Sequence, residues 1–270
     1  MQRSRELVHA TLDFASPERV PRQLWTLPWA EIHHAEKLAQ IRQRFPDDIV
    51  HAPGFVASPP QTIGDPYEEG EYVDEWGCRF VNKTRGIIGE VKEPIVLGET
   101  WEDLSRVHVP RELLSIDTDQ VNAFCRSTDR FVLAGACPRP FERLQFIRGT
   151  EQLYVDLMTQ PDGFAEFVGV MHDYYCDLLS VWAKTEVDGL MMMDDWGAQH
   201  ALLINPATWR ELFKPLYQTY IQIAHDNGKR MFMHSDGHIV AIIPELIDLG
   251  LDALNSQLFC MGLDELSRFR

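Results

Sequence analysis

Two stretches of this 270-residue chain carry side chains suited to acid–base or metal chemistry. In "GLMMMDDWGAQH", residues 189–200, an apolar run ends in two adjacent carboxylates, Asp194 and Asp195, followed by Trp196. In "KRMFMHSDGH", residues 229–238, the run 231–233 delivers His234, Ser235 and Asp236 ahead of Gly237. Carboxylates and imidazole are proton carriers near neutral pH. The candidate catalytic groups are therefore Asp194, Asp195 and His234. Each has a structural reading beside it. Neighbouring residues on a strand face opposite ways, so only one of Asp194 and Asp195 points into a given site, and the other caps a helix or pairs with a neighbour. His234 also suits a hydrogen-bonded core, and Asp236 a turn before Gly237. Further on, Asn255 and Gln257 are neutral hydrogen-bonding groups that orient a substrate or serve a loop. Met191 to Met193 read as packing, because their polar neighbours are oxygen ligands and not soft ones.

The apolar runs that deliver these groups read as strands. Short β-forming segments fall at 22–27, 48–52, 130–136, 188–193, 230–234 and 252–255. Helical periodicity falls at 4–14, 29–44, 149–158, 162–185, 206–227, 242–249 and 263–269. Strand–helix alternation predicts a parallel sheet with right-handed crossovers. Polar residues at the strands' C-terminal ends, and no GxGxxG turn after any strand, favour a (β/α)8 TIM-barrel over a doubly wound sheet. A closed barrel needs eight strands, whereas this sequence reaches Arg270 in the sixth crossover, so the expected form is a barrel truncated after about six βα units. The expected organisation is a single domain over 1–270 with a β-rich insertion at 54–110 that turns at "NKTRG" and caps the mouth.

A formal net charge of −16, from 25 Lys+Arg against 41 Asp+Glu, leaves no basic footprint for nucleic acid or an anionic membrane. A small-molecule substrate or a protein partner is expected instead. The five cysteines are scattered without CxxC spacing, which fits free thiols in a reducing cytoplasm; Cys260 is read as one of them. The charged N-terminus lacks a signal-peptide core, and no apolar run is long enough to span a membrane.

The segments "MDDWGAQHALLINPATWRELFKPLY" and "GKRMFMHSDGHIVAIIPELIDLGLDALNSQ" resemble the uroporphyrinogen decarboxylase superfamily, which contains porphyrinogen decarboxylases and zinc-dependent corrinoid or coenzyme M methyltransferases. "PFERLQFIRGTEQLYVDLMTQPDGFAEFV" and "GEYVDEWGCRF" extend the likeness. The resemblance implies a barrel, usually dimeric, with its site at the C-terminal mouth. The decarboxylases carry "RQAGRY" and "FSDIL" to bind a polycarboxylate tetrapyrrole; here "RQLWTLPWAE" and "DIVHAPGF" stand in their place, so a substrate meets Trp25, Trp29 and His51 instead. The "MDDW" run matches the family's "FDSW", which implies inherited architecture more than a shared substrate, and Trp196 is a candidate substrate-binding residue with Trp25, His51, Asn255 and Gln257. The methyltransferases bind zinc through an HxC pair, and "HSDG" offers His234 and Asp236 at those positions, closest to an uncharacterised branch with that motif. The reading is a metal-assisted methyltransferase, with zinc as the candidate metal, working with a corrinoid carried on a partner protein. The alternatives are a carboxy-lyase acting on a carboxylated substrate and a non-catalytic protein that binds a small ligand or ion. Tyr72, Asp74, Glu75 and Trp76 close over a ligand or pack a hairpin, and Arg139, Glu142 and Arg143 meet an anionic substrate or bridge between elements.

Overall fold

The computed structural model describes residues 2–269. Five parallel strands form an open half-barrel in the order β1-β5-β6-β7-β8: β1 (Ile49–His51), β5 (Phe131–Leu133), β6 (Gly189–Met193), β7 (Arg230–Ser235) and β8 (Ala253–Ser256). A three-stranded antiparallel sheet, β2 (Gly70–Val73), β3 (Arg79–Asn82) and β4 (Glu90–Glu93), lies within the expected insertion, with "NKTRG" between β3 and β4. The helices are α1 (Ser4–Leu12), α2 (Pro28–Arg44), α3 (Thr118–Ser127), α4 (Pro140–Arg148), α5 (Thr150–Thr159), α6 (Phe164–Ala183), α7 (Pro206–Leu212), α8 (Lys214–Asp226), α9 (Ile243–Asp248), α10 (Leu258–Met261) and α11 (Leu263–Leu266). The strand–helix alternation read from the sequence is present.

Side-chain alternation divides the sheet into two faces. Leu190, Met192, Met231 and Met233 point outward into the main core beneath α6 and α8, whereas Met191, Met193 and Phe232 point inward to a smaller cluster with Phe131 and Leu133. Val8 of α1 plugs that inner cluster. On the outer face, α6 lays Phe164, Phe167, Met171, Tyr174, Tyr175, Leu178, Leu179 and Trp182 into the core at intervals of one helical turn. Burying each large side chain of this kind is worth about 1.5–3 kcal/mol.

The structure corrects several expected elements. Residues 22–27 are not a strand: two of their amides are met by side chains. Arg22 N donates to Asp48 Oδ2 at 2.8 Å and Leu24 N to Asp47 Oδ1 at 2.8 Å, and Pro21 and Pro28 flank the segment. Donors spent on carboxylates leave no ladder to extend. The expected helix at 206–227 is two helices that meet at Phe213. Two helices, α3 and α4, occupy segments that carry no clear helical reading: Asp117 caps α3 by accepting from Gln120 N, and Pro140 opens α4.

The small sheet is tied to the half-barrel largely through two buried arginines of α4. Arg143 pairs with Asp74 and, at 3.3 Å, with Glu75, and lies over the Trp76 ring at 5.1 Å from its centroid. Arg148 donates to Val96 O at 3.1 Å and Gly98 O at 2.6 Å, and pairs at 2.6 Å with Asp156, which also accepts from the Trp101 indole. Both guanidiniums have little access to water, so these partners replace most of the lost hydration, with Arg143 Nε left unpartnered.

Candidate functional site at the strand ends

The register of the parallel strands assembles the site. Met193 on β6 pairs with His234 on β7, which pairs with Asn255 on β8, so their side chains share one face. That face is the inner one, because His234 is two residues beyond Phe232. His51, two residues beyond Ile49, reaches the same mouth from β1.

The chain leaving β6 then resolves the choice between its two aspartates. Asp194 turns outward and is fully buried, accepting from Phe141 N at 3.0 Å, Glu142 N at 2.9 Å and the Tyr217 hydroxyl at 2.6 Å. It holds the first turn of α4 and anchors α8, with no surface open to a ligand. Burial pushes its carboxyl well above the usual range, Glu142 adds to the rise, and the three donors oppose it. Asp195 turns inward and stays partly exposed.

Asp195, His234 and Asp236 offer ligand atoms that all lie within 4.8 Å of one another. His234 Nε2 is 3.4 Å from Asp236 Oδ1 and 3.7 Å from Asp195 Oδ1. On the other edge of the ring, Nδ1 lies 2.6 Å from Asn255 Oδ1. An amide oxygen only accepts, so Nδ1 donates to it, and Nε2 is the ring nitrogen that faces the two carboxylates. Gln257 braces the opposite side by accepting from Gly237 N at 3.1 Å, and its side chain also reaches Asp236. Burial and the neighbouring Asp195 push the Asp236 carboxyl up, against His234 and Gln257. Two carboxylates and one oriented imidazole with a hydrogen-bonded support fit a divalent cation of the zinc type, in an oxygen-rich set.

Backbone bonds lock the two exit loops together. Asp194 N donates to His234 O at 3.1 Å, Gly197 N to Asp236 O at 3.0 Å, Trp196 N to Ser235 Oγ at 3.1 Å, and Asp236 N to Asp195 Oδ1 at 2.9 Å. Gly197 and Gly237 touch backbone to backbone: a Cβ on Gly237, whose φ is +78°, would sit 2.1 Å from Gly197 O. Glycine is required at both positions.

Trp25 lies over this group, its ring centroid 5.0 Å from that of His234 and 6.4 Å from that of His51. A cleft of about 640 Å³ is lined by Trp25, His51, His234 and Asp236. Trp196, expected at the substrate, is in the interior: its indole donates to the Tyr217 hydroxyl at 2.7 Å and stacks on Phe141 with centroids 4.2 Å apart. It therefore supports Asp194 by packing α4 and α8 together.

A second cavity, of about 660 Å³, opens between the small sheet and the strand exits, lined by Tyr72, Trp76, Arg139, Glu142 and Tyr175 among others. Glu142 lines this cavity alone. Its Oε2 is buried without a hydrogen-bond partner, and burial pushes its carboxyl up, with Arg139 opposing and Asp195 adding to the rise. The sequence ranked Glu142 below the strand-end residues. The signal for it is a carboxylate in the first turn of a helix opened by Pro140, directly after a strand's exit.

The family model described as Uroporphyrinogen decarboxylase (URO-D) matches residues 74–258, more than half of the chain, and the chain belongs to this family. Its members are enzymes, decarboxylases or methyltransferases. Among solved structures, a methyltransferase from Methanosarcina mazei superposes with a TM-score of 0.59 at 15% identity, covering 94% of this chain and 76% of that one. At that identity the likeness is one of fold. No curated protein matches the chain in sequence. No helix among the described residues is long and apolar enough to cross a membrane.

Proposed function

We infer that this chain is a metal-assisted methyltransferase of the URO-D family, acting with a corrinoid carried on a partner protein. The observation that carries the reading is the trio Asp195, His234 and Asp236, with the imidazole held in one tautomer by Asn255. The methyltransferase with the shared fold supports the choice of reaction.

His234 Nε2 and one oxygen each of Asp195 and Asp236 would hold the cation, zinc being the candidate. When bound, it supplies Lewis-acid polarisation of a substrate oxygen or sulfur and lowers that group's pKa. The chain's own residues do the rest. Asn255 and Gln257 keep the His234 ring and the 236–237 backbone in place. Trp25 covers the imidazole and keeps water from that side, and His51 faces the same cleft. Glu142, whose carboxyl burial pushes up, would be the group placed to pass a proton to a leaving group. Asp194 acts through position, by fixing the start of α4 that carries Glu142.

A carboxy-lyase is the second reading, favoured by the family match and by Arg139, which faces the larger cavity. A homodimer, usual where the sequence resemblance lies, is part of the proposal, as is a cytoplasmic setting.

The test is metal stoichiometry on the full chain purified without chelator and supplied with zinc, followed by demethylation of methylcobalamin. One zinc per chain is expected, lost in His234→Ala and kept in Cys260→Ser. A chain that binds no zinc, or His234→Ala that binds it as the parent does, overturns the metal-assisted reading.

A further inference from the structure

The cavity beneath the small sheet contains a guanidinium without a hydrogen-bond partner. Arg139 lines it, yet among the described residues its only charged contact is Glu142 Oε2 at 3.9 Å, beyond hydrogen-bond reach. An arginine carries five N–H donors, and the Arg139 side chain, 33% exposed, offers them to cavity water that a ligand's acceptors can displace. The neighbouring charges do not supply them. Asp74 and Glu75 are taken by Arg143, and Asp74 Oδ1 also accepts from Trp76 N and Cys78 N at 3.0 and 2.7 Å. Glu142 Oε2 is itself buried and unpartnered. The cavity therefore presents a fork of unused donors next to a carboxyl group that, when neutral, has an O–H to donate.

We propose that Arg139 and Glu142 form a subsite for the single carboxylate of a substrate whose planar apolar body lies between the small sheet and α6. A carboxylate accepts two parallel N–H bonds from one guanidinium, a geometry that an amide or an alcohol cannot reproduce. One unpaired arginine amid Asp74, Glu75 and Glu142 matches one negative charge, and a dianion would meet more carboxylates than cations. A cationic ligand is disfavoured because the Arg143 guanidinium already lies over the Trp76 and Phe146 rings, 5.1 and 5.5 Å from their centroids. The other walls, Tyr72, Tyr174, Tyr175 and Trp182, offer broad apolar surface, and about 660 Å³ is the size of a small-molecule site. The inference rests on the methyl-transfer reading only in calling the bound carboxylate a substrate.

The experiment follows tryptophan emission and calorimetry of the full chain with three probes of one shape: benzoate, benzamide and benzylammonium. Trp76 and Trp182 line the cavity and report occupancy. Benzoate is expected to bind at least about tenfold more tightly than benzamide, the scale of one charge-assisted paired contact. Arg139→Gln should erase that preference, and Arg139→Lys, which keeps the charge but not the fork, should retain only part of it. His234→Ala should bind benzoate as the parent does, so an unaltered chain that binds no zinc but keeps its benzoate preference would sink the metal reading alone. Far-UV circular dichroism checks the variants' folding, and the comparison of benzoate with benzamide on the unaltered chain stands whatever the variants do. The subsite is overturned if benzamide or benzylammonium matches benzoate, if none of the three binds, or if folded Arg139→Gln keeps the preference.

Discussion

Replacing Asn255 with alanine tests whether the second edge of the His234 ring matters as much as the first. The side chain touches no candidate metal ligand except through His234 Nδ1, 2.6 Å from Asn255 Oδ1. Removing it leaves the imidazole free to flip and to place its proton on Nε2, where no ligand bond can form. A hydrogen bond of this kind is worth about 0.5–1.5 kcal/mol net, and loss of the pinned tautomer adds to that. Supporting groups around metal-binding histidines typically change affinity by about 10- to 100-fold, equivalent to about 1.4–2.8 kcal/mol. The lower half of that range is expected, because the ring is only partly buried and water can replace the lost acceptor. The assay is competition for zinc against a chromophoric chelator at fixed pH and salt. Asn255→Asp supplies a stronger acceptor for the same N–H, so it should hold zinc at least as well as the parent. Unchanged affinity in Asn255→Ala, or equal loss in the alanine and aspartate variants, would refute the argument from the tautomer.

Two further outcomes concern stability. Asp156→Asn should destabilise the fold by about 3–5 kcal/mol in urea titrations, because it strands the buried Arg148 guanidinium without its counter-charge; a loss under about 1 kcal/mol would show that the Val96 and Gly98 carbonyls suffice. Acid should weaken the tie between residues 19–24 and β1: burial raises the Asp48 carboxyl, but Arg19, Ser4 and the Arg22 amide outweigh it and hold it below its ordinary value. A carboxyl depressed on folding contributes stability that is complete above its unfolded pKa, about 3.9, and is lost as the pH falls through the lower folded value. Asp48→Asn should flatten that part of the urea-midpoint profile, and an unchanged acid limb would assign the effect elsewhere.

The legible parts of this fold are those set by local pattern. The apolar runs at 188–193 and 230–234 gave β6 and β7 almost to the residue, and parallel pairing then placed His234 beside Asn255. What the pattern missed was decided by distant partners. Residues 22–27 read as a strand by composition, and only the Asp47 and Asp48 side chains, more than 20 positions away, divert their amides. α4 is dense in charge because Arg143 and Arg148 find their carboxylates and carbonyls in other elements. Strand alternation allows only one of Asp194 and Asp195 into the site. It does not say which, because that depends on where the helix that needs an acceptor begins. Trp196 went astray for the same reason: its place is set by Tyr217 and Phe141, neither of which is near it in the chain.

The abutting glycines between the exits of β6 and β7 make two loops behave as one part. With Gly197 and Gly237 pressed together, neither loop can lengthen, gain a side chain or swing outward without moving the other. Asp195 and Asp236 sit just before these glycines, so their separation is fixed by main-chain contact and does not depend on the long side chains around the mouth. A redesign seeking a new substrate would do better to leave this seam alone and alter the small antiparallel sheet, which is held to α4 by the Arg143 and Arg148 side chains beside two main-chain bonds to Ile147 O, so that its side-chain contacts can be changed one residue at a time. The molecule thus separates a jaw that cannot be adjusted from a roof that can.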